Sequence, residues 1–295
     1  MKVRAIALTT SALVAVAVFA APASAGQYTG KISLGAGYVW ETFEDGGEGD
    51  KWDANTSGLQ GAASVNVPYN DDVNIQFDIF GDKSMDNYTN GDGPDQDSFY
   101  GGFGAAAHIN YRDSVGALGV FAALGRAAAS TGWASDFVVF AGGLEGQYFC
   151  NAWTLRSQIG YLDSDQEGWL LQEAGFINVG ADYYASNKLK LSGSVGYIDG
   201  ATSGSDNPDD VDGWNWTLGV EYVFGKSIPV STYLEYAGYS STEQDGSDEN
   251  DLDRHQVKAG VRFYFGGDGD LMKADREGAG MKAPDILLAP KYLAD

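Results

Sequence analysis

The chain has 295 residues, with 18 Lys or Arg, 41 Asp or Glu, a formal net charge of -23 and one cysteine, Cys150. The acidic balance argues against a nucleic-acid partner and against a basic patch for anionic lipid. A single cysteine excludes an intrachain disulfide framework. Abundant Gly (41), scarce Pro (7) and 17 Tyr, 14 Phe and 7 Trp suit many thin strands better than thick helices.

The first element is a leader. Lys2 and Arg4 precede a mostly apolar run from Ala5 to Ala20, and Ala23-Ser24-Ala25 is an A-x-A cleavage site. The run is short of the ~20 residues of a membrane helix, so the pattern predicts cleavage after Ala25 rather than an anchor. Removing 1–25 leaves 270 residues with 16 basic and 41 acidic groups, a charge of -25. No later stretch has the ~18 consecutive apolar residues of a spanning helix.

Twelve alternating segments follow: 31–41, 58–69, 72–81, 99–111, 116–126, 136–149, 152–162, 172–184, 187–198, 213–225, 228–239 and 254–266. Each is near the ~9–11 residues of a tilted membrane strand. The third places Val73, Ile75, Phe77 and Ile79 on one face and Asn74, Gln76 and Asp78 on the other. The seventh sets Leu155, Ile159 and Tyr161 against Arg156 and Gln158; the tenth sets Trp214, Trp216, Leu218, Val220, Tyr222 and Phe224 against Asn215, Thr217 and Glu221. The last sets Val257, Ala259, Val261, Phe263 and Phe265 against Lys258 and Arg262. Arg126 and Glu173 fall on the apolar side in simple register, which places them above the hydrocarbon or at bulges.

Connections alternate strictly between longer and shorter. A membrane barrel accounts for this, with tight turns at one end and long loops at the other. An even strand count leaves both termini at the short-turn, periplasmic end. The four longest connections (42–53, 82–97, 199–212 and 243–253) hold 21 of the 41 acidic residues, the composition of a solvated surface. The fold expected over 26–266 is therefore all-β, a transmembrane antiparallel up-and-down β-barrel of 12 strands. Hydrogen bonds close around its ring because lipid offers no partner to an open edge.

In such a barrel the polar faces enclose a lumen, and confined charges need partners. Reading the strands in register, the enclosed cations are Lys31, Arg156, Lys188, Lys190, Lys258 and Arg262; the enclosed anions are Glu41, Asp78, Glu145, Asp182, Glu221 and Glu235. The two signs balance in a strongly acidic chain. Lys31, Asp78, Glu145, Arg156, Asp182, Glu221, Glu235, Lys258 and Arg262 are the expected pore-lining residues. Tyr38, Trp40, Phe99, Tyr111, Tyr148, Trp153, Tyr183, Trp214, Trp216, Tyr222, Phe224 and Phe265 lie at strand ends on the apolar face, where amphipathic rings suit the headgroup zone. The ordinary β-propensity of aromatics is the competing explanation.

With these patterns in hand, residues 26–266 resemble the Gram-negative outer-membrane β-barrels, the porin-like group in particular. Lys258-x-Gly260-x-x-Phe263-x-Phe265 looks like the last-strand signal that the barrel assembly machinery reads in that family. The departure is a tail of mixed charge, 267–295, expected to be periplasmic and flexible; plugging the barrel mouth or meeting another envelope component are the alternatives.

Catalytic signals are weak. His108 lies on the polar side with no Ser two positions on, His255 sits at a loop edge, and no G-x-S-x-G elbow or nucleotide fingerprint occurs. Cys150 and two dispersed histidines give no zinc spacing. The acidic loops lack the calcium-loop spacing, which leaves weak divalent bridging to lipopolysaccharide phosphates. Neither an enzyme nor a cofactor is expected. The expected function is passive diffusion of small hydrophilic solutes, favouring cations. A non-conducting structural or surface-interaction barrel is the alternative. The expected partners are outer-membrane lipid and lipopolysaccharide, the assembly machinery and small solutes, with no nucleic acid. The oligomeric state is open, a homo-oligomer included.

Overall fold

The computed structural model describes residues 28–44, 46, 51–84, 101–128, 137–164, 171–202, 209–224, 229–245 and 248–284. These form β1 (Thr29–Glu44), β2 (Lys51–Pro68), β3 (Val73–Ser84), β4 (Gly101–Arg112), β5 (Gly116–Ala128), β6 (Phe137–Cys150), β7 (Trp153–Ser164), β8 (Leu171–Ser186), β9 (Leu189–Thr202), β10 (Asp210–Val223), β11 (Val230–Asp245), β12 (Asp248–Phe265) and one short helix, α1 (Leu271–Arg276). Each strand pairs antiparallel with its sequence neighbours and β1 pairs with β12, closing the barrel. The expected architecture and strand number are those observed. The leader with Ala23 and Ala25, Phe99, and residues 285–295 lie outside the described residues.

The apolar face is the outer one. Leu218 is 61% exposed and Leu144, Ile159, Leu34 and Phe77 are each at least half exposed, whereas Gln76 and His108 are fully buried. Outward rings gather at both ends. Trp40 stacks on His255 at 5.5 Å, and Tyr197 meets Trp214 at 4.8 Å. At the other end Trp153 meets Tyr183 at 4.6 Å and Tyr222 meets Phe224 at 5.2 Å. His255 therefore stands within an aromatic girdle, its Nδ1 2.8 Å from Tyr236 Oη.

The strands outrun their sequence bounds at the long-connection end. β2 starts at Lys51 rather than Gly58, and β12 at Asp248 rather than Arg254. The added ladder is mostly polar, as in residues 53–57 of β2 and 248–251 of β12, so its side chains no longer alternate in polarity and the pattern goes silent, although Leu252 turns inward and is buried. Arg126 points outward near that end and is exposed. Glu173 has φ 49° and sits at a register shift between Gln172 and Gly175, a bulge.

At the other end the turns are tight. Asn70 Oδ1 accepts from the backbone of Asp72 and Val73, and Asp113 Oδ1 accepts from Val115 and Gly116. Asn151, at φ 48°, opens the two-residue β6–β7 turn.

Two glycines permit close approach. A Cβ at Gly238 would lie 2.2 Å from the outward Trp216 ring, and one at Gly260 would lie 2.7 Å from the inward Tyr233 hydroxyl. Gly260 of the last-strand pattern thus has a packing role of its own. Phe263 faces outward and Lys258 faces the lumen.

Candidate functional site in the barrel lumen

All nine expected pore-lining residues project inward, because each falls on the polar parity of its strand. They sort into local groups. Asp78 and Glu145 share His108, whose Nε2 is 2.9 Å from Asp78 Oδ2 and whose Nδ1 is 2.9 Å from Glu145 Oε2. Arg156 Nε lies 2.9 Å from Asp182 Oδ2, and Lys258 pairs with Glu235. Glu221 accepts from Lys190 Nζ at 3.2 Å, from Ser231 Oγ at 2.6 Å, from Tyr264 Oη at 2.5 Å and from Arg262. Glu41 pairs with Arg254 at 3.2 Å. Lys188 does not join them: it occupies the β8–β9 turn, half-buried.

For residues 271–284 the expectation of a flexible tail is corrected. Residues 271–284 enter the barrel at the short-turn end and lie against its inner wall. Leu271 is buried against Tyr184 and Val223, and its N–H donates to Asn187 O at 2.8 Å. Arg276 donates to Asn151 O, Trp153 O and Thr154 Oγ1 at 2.9, 2.7 and 3.1 Å. Arg112 Nη1 donates to Arg276 O and Gly278 O at 3.0 and 2.8 Å. Gln147 donates to Gly280 O and Gln158 to Lys282 O, at 2.9 and 2.7 Å. Gln76 takes both Met281 N (3.0 Å) and Met281 O (2.9 Å). Between Met281, Lys282 and the β6–β8 wall remains a cavity of about 20 Å³, room for about one water.

Asp275 is the charged anchor of α1. Lys190 Nζ lies 2.7 Å from it, Tyr184 Oη donates to it at 3.0 Å, and Lys31 Nζ is 3.9 Å away. Burial alone would raise this carboxyl; Lys190 and Lys31 overcome that and hold it below its ordinary value of 3.8. A carboxyl depressed in the docked state stabilises docking fully above pH 3.8 and loses most of that contribution progressively as pH falls below 3.8 toward the lowered value. Pepsin should therefore leave residues 271–283 intact at pH 4 and cut them near pH 2. The Asp275→Asn tail should be cut at both. Cleavage of the unaltered tail at pH 4 would contradict the anchor.

Not all of the lumen is polar. Toward the long connections Phe121, Leu162, Leu171, Phe176, Ile198, Val211, Tyr239 and Leu252 form a buried apolar cluster, against which Ala283 packs. The reading of a uniformly wet interior is corrected here: strand alternation identifies two faces but does not require the inner one to be polar along its whole length.

Sequence reasoning missed Gln76, Arg112, Gln147, Gln158, Arg254 and Asp275 as members of this site, and it placed His108 only on the polar side of its strand. Parity places Gln76, Gln147 and Gln158 inside, but they carry no charge and escaped a charge-based count. Asp275 had no periodic signal at all. Among the described residues no group of three or more metal-ligating side chains converges.

No family model matches the chain, and no curated protein matches it. Solved structures do. An outer membrane channel from Pseudomonas putida F1 superposes with TM-score 0.56 at 9% identity, covering 83% of this chain and 99% of that one. The translocator domain of autotransporter NalP from Neisseria meningitidis gives TM-score 0.47 at 14% identity over 88% and 96% of the two chains. The P. putida toluene transporter TodX gives 0.45 at 10% identity over 81% and 90%. At such identities the likeness is one of fold. The chain has the fold of the Gram-negative outer-membrane β-barrels, closed here with twelve antiparallel strands.

Proposed function

We propose that the protein is an outer-membrane channel for passive diffusion of small polar solutes, closed at its short-turn end in this conformation by its own residues 271–284. The supporting observation is the docking of that segment. It spans from Lys31 on β1 to Lys190 on β9 through contacts that are all non-covalent. In this reading the leader is removed after Ala25, and the machinery takes the last strand by Lys258, Gly260, Phe263 and Phe265. The acid-rich long connections face outward beside lipopolysaccharide, and both termini are periplasmic. Acidic outer loops raise local cation concentration, so the open channel favours cations.

A non-conducting structural barrel is the second reading. The buried apolar cluster and the paired lumen charges favour it.

Planar-bilayer recording on the full chain separates the two. Unaltered protein should give rare, brief steps. The double variant Asp275→Ala, Arg276→Ala, which removes both charged anchors of α1, should give stable cation-preferring steps with at least tenfold higher open probability. Adding Glu235→Ala should reduce the cation preference. No stable conductance from any of them would leave the structural reading standing.

A further inference from the structure

The wall reads the tail through its main chain. Gln76 closes on one residue, accepting from Met281 N and donating to Met281 O. In an extended residue N–H and C=O point to the same side, and a neighbouring strand pairs with both in the same way. The carbonyls on either side, of Gly280 and Lys282, are taken by Gln147 and Gln158. Three consecutive residues are thus held by peptide groups that any sequence possesses.

Two of the amides that hold them, those of Gln76 and Gln158, are tied to one polar network. Gln76 Nε2 also donates to both Asp78 oxygens at 2.9 Å; Asp78 meets His108, His108 meets Glu145, and Gln158 Nε2 donates to Glu145 at 3.4 Å. One chain of five polar side chains, from β3 to β7, ends in two amides aimed at the tail. His108 is the positioning residue at its centre.

We infer that this wall is a binding site for the main chain of a short peptide segment, that short peptides are the solute class of the channel, and that residues 280–282 occupy the site as an intramolecular competitor. The inference rests on the channel reading for its transport sense. Three features select peptide over sugar or inorganic ion. The site presents donor and acceptor to a single residue. The Lys31–Lys190 pocket takes a carboxylate, here that of Asp275. Further in, the apolar cluster receives side chains, as it receives Ala283 two residues past Met281.

The test uses the full chain carrying Asp275→Ala and Arg276→Ala in detergent, with its own tail released. Release is read as tryptic cleavage at Lys282, which the unaltered protein should resist. The probe is a synthetic, fluorescently labelled peptide of residues 270–284, compared with a Met281→Ala analogue and with one N-methylated at residue 281. The parent should bind saturably, the Met281→Ala analogue within about twofold of it, and the N-methyl analogue at least tenfold more weakly. Adding Gln76→Ala to the protein should weaken the parent to the same degree and abolish its advantage over the N-methyl analogue; unchanged circular dichroism and heat-modifiable gel migration establish that this variant is folded. Equal binding of parent and N-methyl peptides, or none, would overturn the inference. So would a tail that stays uncut in the double variant, because an occupant that cannot leave denies solutes the site. Binding is read without a membrane. A barrel that binds but never conducts sinks the channel reading alone, and one that conducts but does not bind sinks only the peptide.

Discussion

Replacing His108 with alanine should destabilise the folded barrel by about 3 kcal/mol, measured as a shift in the denaturant-unfolding midpoint in lipid vesicles. The imidazole is fully buried, and each ring nitrogen lies 2.9 Å from a carboxylate oxygen of Asp78 or Glu145, themselves nearly buried. Removing one partner from a buried charged cluster costs about 3–5 kcal/mol, because the remaining charge has lost its compensation. The low end applies here: Asp78 retains the amide of Gln76 and Glu145 that of Gln158. His108→Gln should lose less, since an amide can still donate to one carboxylate. A change under about 0.5 kcal/mol, the range of an uninvolved surface site, would mean that the two carboxylates do not depend on the histidine. The same variant should loosen the tail, because Gln76 and Gln158 are oriented through this cluster.

The second large effect lies on the opposite face of the sheet. Leu218→Arg should cost about 2–4 kcal/mol of folding stability in vesicles, the penalty of a cation near the bilayer midplane. Leu218 points outward, and its strand carries Trp214 and Trp216 toward one end and Tyr222 toward the other, so it stands between the two girdles. Trp214→Arg, within a girdle, should cost about 0–1 kcal/mol by the same depth dependence. The gradient between the two positions is the measurement that matters. Were the outer face bathed in water, both replacements would fall within about 0.5 kcal/mol of zero.

Much of the barrel is legible in its sequence. The alternation of Val73, Ile75, Phe77 and Ile79 with Asn74, Gln76 and Asp78 orients β3, and the short and long connections order the strands. Glu173, which broke the alternation, does so at a bulge. What escaped carried no charge, as with Gln76, Gln147 and Gln158, or no period. The upper parts of β2, β11 and β12 are built mostly from polar residues, so their polarity carries no alternation to read, even where Leu252 is buried inward. The inward apolar residues, such as Leu162 and Ile198, are locally indistinguishable from outward ones.

Strand number, closure and the lipid-facing side follow from the sequence by itself, because each depends on a local two-residue period and on a solvent that leaves no backbone group unpaired. The tertiary structure alone decided which lumen charges share a partner, where the apolar half of the lumen lies and where the tail goes. Those outcomes depend on meetings such as Gln76 with Met281, 205 residues apart. Nothing within either segment signals the other; only docking of the tail inside the closed ring brings them together.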